Sequence, residues 1–326
     1  MTPQAKPVSW KLRGELAIAQ CLRQYHRWRP RALPPCPWPA PRLLEWGDAS
    51  PRQGAIPPII WAYWNSPQRP LLVQRCLENW HRYNPDYQIR VLDDSSLAHF
   101  VGDLPPSWHR LSVQQRSDWL RLELLRSHGG IWMDASTILT RSLDWVLQEQ
   151  QRSQCDLVGF YIQRFTALPA YPVVENWFMA APPGSAFIAD LQAEFTTQVL
   201  EPGSAEYLAS LKRRGLYDAV VQRIDSPEYL SMHVAIQRVL QDRRSHYRMA
   251  LWCAEDTAFA YHEQARWDRA RLKLRLFFMQ QGQASVPFLV KLRGPDRRKL
   301  DHYLEQGLYL PDSIVGRHLA EEGAGS

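Results

Sequence analysis

Residues Gln114–Thr137 read QQRSDWLRLELLRSHGGIWMDAST. Trp119, Leu120, Leu122, Leu124 and Leu125 supply the apolar surface of a helix. Ser117, Asp118 and Arg121 fall within one turn of each other and share a face. Gly129 and Gly130 stop the helix and allow a tight turn. Ile131, Trp132 and Met133 form a short buried strand, and Asp134 stands at its carboxyl end, followed by Ser136 and Thr137. In open α/β sheets that end of a strand is where ligands bind. An acid and two hydroxyls arriving there together suit a divalent cation, a ribose or a phosphate.

The same alternation extends outward. Ile59–Trp64 reads as a continuous apolar strand, Leu71–Tyr83 as a helix, Asn84-Pro85-Asp86 as a turn and Tyr87–Leu92 as a second strand. With the helix at 113–127 and the strand at 131–133, this predicts a parallel, nucleotide-binding half sheet. Further strands are expected at Leu157–Tyr161, Trp177–Ala181, Met249–Trp252 and Val286–Val290, with helices at Ala186–Val199 and Glu228–Gln241.

Composition narrows the class. An apolar fraction of 45% and a charged fraction of 22% are those of a globular chain able to bury a core. The 14 tryptophans are an unusually large share, and flat aromatic faces suit sugars and nucleobases as well as core packing or a membrane-edge belt. The net charge of +6 is carried by two zones, residues 1–54 and residues 266–299, which suit anionic lipid or a lipid diphosphate. No RNA- or DNA-binding module accompanies them, so nucleic acid is not an expected partner. Five scattered cysteines without a C-x-x-C argue against a disulfide framework or a zinc site, and a reduced cytoplasm is the expected compartment. No apolar run is long enough to cross a membrane, and the first residues lack a signal-peptide pattern. Contact with the inner face of the cell membrane is therefore expected to be peripheral.

Three regions are predicted. Residues 1–54 form a basic, proline-rich extension, with a helix from Ser9 to about Trp28 and an extended linker over Pro30–Pro58. Residues 55–300 form the catalytic domain, and 301–326 a C-terminal tail.

The S-D-x-x-R helix followed by GGIWMDAS resembles the donor-site core of the capsular polysaccharide synthesis protein family, related to glycosyltransferase family 32. Ile56–Trp64 (IPPIIWAYW), Gln74–Asp94, Glu175–Ala181 (ENWFMAA) and Val290–Leu292 (VKL) resemble further segments of that family. The resemblance implies a GT-A fold, a Rossmann-like and mostly parallel sheet flanked by helices. It also implies transfer of a sugar from a nucleotide-diphosphate donor to a hydroxyl of a glycan or lipid-linked acceptor, with retention of configuration. By this resemblance Trp61 lies near the donor nucleobase; as a lone strand tryptophan it is equally a core residue. Asp118 accepts from sugar hydroxyls, Arg121 binds sugar or diphosphate, and Asn176 bonds donor or acceptor sugar. Asp134 either coordinates Mn²⁺ or Mg²⁺ or accepts from ribose, with Ser136 as a second metal ligand. Ser136 stands where the family's D-x-D pattern has its second acid, and a hydroxyl is a poorer ligand for a hard cation than a carboxylate. Two late residues compete for the remaining donor contact: His262, as a metal ligand, and Lys291, as a cation for the leaving diphosphate. Hydrolysis by carboxylates such as Asp93, Asp94 and Asp134, and a non-catalytic nucleotide-sugar-binding protein, are the rival readings.

Overall fold

The computed structural model describes residues 9–36, 40–50, 54–243 and 246–320. Prolines 37 and 39 of the predicted linker, like residues 1–8 and 321–326, lie outside them. Seven strands form the main sheet: β1 (Leu43–Trp46), β2 (Ile59–Tyr63), β3 (Gln88–Leu92), β4 (Gly130–Met133), β6 (Leu157–Tyr161), β7 (Val174–Ala181) and β8 (Met249–Cys253). Their order is β1-β8-β6-β7-β4-β2-β3, and β5 (Thr137–Leu139) pairs separately with β9 (Leu289–Lys291).

The predicted half sheet is present: β2 pairs in parallel with both β3 and β4. Beyond β4 the sheet is mixed. β7 runs antiparallel to β4 and β6, β6 runs parallel to β8, and β1 runs antiparallel to β8. Strands β4 and β6 are buried at every position, as the run of apolar residues in a two-sided sheet requires.

Helices cover both faces. The first five are α1 (Trp10–Trp28), α2 (Leu71–Tyr83), α3 (Val113–His128), α4 (Asp144–Ser153) and α5 (Ala186–Glu194). There follow α6 (Ser204–Arg213), α7 (Tyr217–Val221), α8 (Ser231–Asp242), α9 (Ala260–Gln264), α10 (Arg269–Phe278), α11 (Leu300–Glu305) and α12 (Ile314–Leu319). The predicted helix at 186–199 leaves α geometry at Phe195 and finishes as a π-helix to Leu200. A large core surrounds the main sheet, and a second joins α1, α2, α10, α11 and α12 to β5 and β9.

Neither terminal region is an appendage. From the predicted extension, β1 closes the free edge of β8, and Arg42 donates two hydrogen bonds to Asp256 through its side chain at 2.7 and 2.9 Å. Leu12, Leu16 and Ala19 of α1 are buried in the second core. From the predicted tail, α12 packs on α2, where Asn79 Nδ2 donates to the carbonyls of Leu139 and His318 at 2.9 Å. The boundaries at 54 and 300 therefore cut through shared cores.

Candidate donor site

Helix α3 begins with a capping box, in which Ser112 Oγ accepts from Gln115 N and the Gln115 side chain accepts from Ser112 N. It ends at Gly129, whose φ is +65°, and Gly130 continues with φ +107°. A Cβ on Gly130 would lie 2.7 Å from the Ile59 carbonyl oxygen, so only glycine lets β4 start this close to β2. The double glycine thereby fixes where Asp134 leaves the sheet.

A cavity of about 610 Å³ opens at this carboxyl end. Ser117, Asp118 and Arg121 reach it from α3, Asp134 and Ser136 from the turn after β4, and Lys291 from the end of β9. Arg121 is at the centre. Its Nη1 donates to Asp118 Oδ1 at 2.5 Å, its Nη2 to Asp134 Oδ1 at 3.3 Å, and its guanidinium lies 4.8 Å from the Trp132 ring centroid. Lys291 Nζ donates to Asp134 Oδ2 at 2.5 Å, and Asn176 Nδ2 to Asp118 Oδ1 at 3.0 Å. Five of the predicted residues thus form one connected polar network. Arg121 and Lys291 are almost completely shielded, whereas a third of the Asp134 side chain faces the cavity.

Burial acts on each charge. It pushes the Asp134 carboxyl up, but Lys291 and Arg121 outweigh it and hold the group below its usual range. Burial pushes the Lys291 ammonium down, and Asp134 opposes that shift. At Asp118 burial prevails over Arg121, and the carboxyl lies above its ordinary value. Arg121 Nε, Trp177 Nε1 and His233 Nδ1, all on residues lining the cavity, are buried without a hydrogen-bond partner. Buried polar groups ordinarily find a partner, so these three mark the wall of the cavity as a place of unmet hydrogen-bonding capacity.

The structure separates three predicted residues from the roles expected of them. Trp61 is wholly buried and lines no part of the cavity. Its Nε1 donates to the Gly129 carbonyl at 2.8 Å, so it braces the double glycine and is the core residue of the two readings, not a nucleobase platform. Tyr63, Trp64 and Asn65, at and beyond the end of the same strand, reach the cavity instead. His262 is also fully buried. Its Nε2 lies 3.0 Å from Asp296 Oδ2, and Asp296 in turn accepts two side-chain hydrogen bonds from Arg293. It thus helps hold Asp296, which engages Arg293 at the cavity rim, and it lines no part of the cavity itself. Ser136 does line the cavity, but its hydroxyl donates to the Leu292 carbonyl at 3.0 Å.

A divalent cation consequently fits poorly. Both oxygens of Asp134 are occupied by side-chain cations, Ser136 is engaged elsewhere and His262 belongs to another cluster. Among the described residues no three His, Cys, Asp or Glu side chains converge as a donor set. A divalent ion here would have to draw its oxygens mainly from a substrate diphosphate and water. Asp93 and Asp94 are committed too. The first caps the turn at Ser95 and Ser96, and the second accepts from the Tyr63 hydroxyl and from Arg116.

Two further features lie outside the polar network around Arg121. His233 Nε2 and Glu175 Oε2 stand 3.3 Å apart against the cavity, brought together from α8 and β7. At the rim, the guanidiniums of Arg164 and Arg293 both lie over the Trp267 ring, 4.4 and 4.7 Å from its centroid.

Residues 47–203 match the model of the family described as capsular polysaccharide synthesis protein. The chain is 31% identical over 148 residues to the O-glycosyltransferase braB of Annulohypoxylon truncatum, an alignment covering 40% of this chain and 34% of that protein. It is 30% identical over 148 residues to the glycosyltransferase afumC of Aspergillus fumigatus, covering 40% and 37%. The match therefore spans about a third of the length of these curated relatives. Among solved structures, the UDP-bound glycosyltransferase domain of the YGT toxin is 11% identical with a TM-score of 0.34, over 81% of this chain and 93% of that one.

Proposed function

We propose that the protein transfers a sugar from a nucleotide-diphosphate sugar to a hydroxyl of a saccharide or lipid-linked acceptor in polysaccharide biosynthesis. The observation that carries this reading is the Asp118–Arg121–Asp134–Lys291 network at the end of β4, facing the cavity. Asp118 and Asn176 accept from and donate to donor sugar hydroxyls. Arg121 and Lys291 face the diphosphate, where guanidinium and ammonium groups are the natural partners of phosphate oxygens. Asp134 holds both cations in register. The bond between C1 and the diphosphate oxygen breaks, and its electron pair leaves with the nucleoside diphosphate. The acceptor oxygen bonds C1 from the same face, and its proton passes to the departing phosphate oxygen, so configuration is retained.

Stabilising the charge that develops on the leaving group is the main electrostatic demand of this step. In this reading the buried pair of cations meets that demand in place of a divalent ion. Screening nucleotide sugars by thermal shift identifies the donor, because specific binding raises apparent stability by mass action. Product formation is then followed by NMR, which reads the anomeric configuration, with chelator and with Mn²⁺. Turnover within about twofold under both conditions is expected. Transfer that requires added Mn²⁺ would overturn the role given to Lys291. Binding without any turnover would favour a non-catalytic nucleotide-sugar-binding protein, the reading to which Ser136, in place of a second acid, lends support.

A further inference from the structure

Helix α1 has apolar residues on two opposite sides. Leu12, Leu16 and Ala19 face inward, and the helix packs on α10 and α11. On the other side Trp10, Ala17, Ile18, Cys21, Tyr25 and Trp28 recur at helical spacing, and every one is exposed. Trp10 is 78% exposed and Trp28 85%, at the two ends of a stripe about 27 Å long. Among the described residues the inward packing leaves this side of the helix uncovered, and a continuous apolar stripe on a surface marks an interaction site.

The charges around the stripe select the partner. Lys11, Arg13 and Arg27 are exposed on the same helix. The second basic zone lies alongside, because Glu15 bonds both Lys273 on α10 and Lys299 just before α11. Among the described residues, no helix is long and apolar enough to cross a membrane.

We propose that this outward face of α1 docks the protein on an anionic lipid surface. Tryptophan and tyrosine settle at the boundary between headgroups and acyl chains, and the neighbouring lysines and arginines attract anionic headgroups. The Glu15–Lys299 contact ties the docked helix to the segment that carries Arg293 and Arg297 at the cavity rim. The surface is separate from the cavity, and the proposal stands whether or not the transfer reaction does.

The test is co-sedimentation of the full chain with vesicles of phosphatidylcholine alone and with about a third phosphatidylglycerol. The wild type is expected to sediment with the anionic vesicles, and less so as salt rises. The combined variant Trp10→Ser, Ile18→Ser, Trp28→Ser is expected to lose roughly tenfold in vesicle partition with an unchanged Tm, since it removes exposed apolar area only. Wild-type protein that stays in solution with anionic vesicles overturns the proposal, as does a variant that binds them equally well. Self-association without lipid that disappears in the variant also overturns it, by assigning the face to a second copy.

Discussion

Asp134 is the residue on which the site converges, and it was legible from its position after GGIWM. Its neighbours were legible to different degrees. Asp118 and Arg121 lie three residues apart on one helix, so their contact follows from helical spacing. Lys291 is 157 residues from Asp134, and only resemblance singled it out. His262 was misread because its partner Asp296 lies 34 residues further on and carries no local signal. Replacing Asp134 by asparagine removes the charge that positions Arg121 and Lys291. We expect transfer to fall by on the order of a hundredfold, or about 3 kcal/mol of transition-state stabilisation. The drop should appear in kcat from steady-state kinetics, with the far-UV circular dichroism of the folded protein retained. Near-wild-type turnover would remove Asp134 from the mechanism.

At the scale of elements, the strength of the local pattern decided what could be read. The bounds predicted for α2 and β6 coincide with those observed, because each has a clear periodicity or apolar run ended by turn residues. Strand β1 escaped notice because Leu43–Trp46 is four residues long and follows a proline-rich stretch. It is a strand because β8 offers it an edge, which is a tertiary cause. The antiparallel insertion of β7 was equally hidden, since a strand buried at all but one position gives no direction. Trp61 shows the same limit: in a strand covered on both faces, periodicity does not tell a core side chain from one at a ligand. The break between α3 and β4 permits a sharper expectation. Gly130→Ala sets a Cβ against the Ile59 carbonyl and the Trp61 indole at a residue with φ +107°. A cost of about 1–3 kcal/mol is expected from the strained backbone and the clash. Chemical denaturation should show a lowered midpoint, and donor affinity should fall with it because Asp134 moves. An unchanged midpoint would mean that β2 and β4 can separate freely.

Across the whole molecule, the terminal regions complete what the central segment begins. The second core needs α1 and α12 as well as α10 and α11, and the main sheet needs β1. Removing residues 1–54 therefore strips an edge strand and one wall of a core, and aggregation or a much lower Tm is expected in place of a soluble donor-binding domain. The attachment of α1 can be probed more gently through Glu15. Burial raises its carboxyl, but hydrogen bonds and charge from Lys273 and Lys299 prevail and bring it from 4.5 down to about 2. A carboxylate depressed in the folded state stabilises that state fully above its unfolded value and loses the contribution as pH falls toward the folded value. The stabilisation by Glu15 is thus complete near neutral pH and fades between about 4.5 and about 2. Glu15→Gln keeps the shape of the side chain and removes the charge. Its Tm should lie below that of the wild type at pH 6, and the gap should narrow steadily as the buffer is taken below 4.5. A gap that stays constant across this range would show that the two lysines contribute nothing to holding α1 in place, and that its apolar face alone docks it.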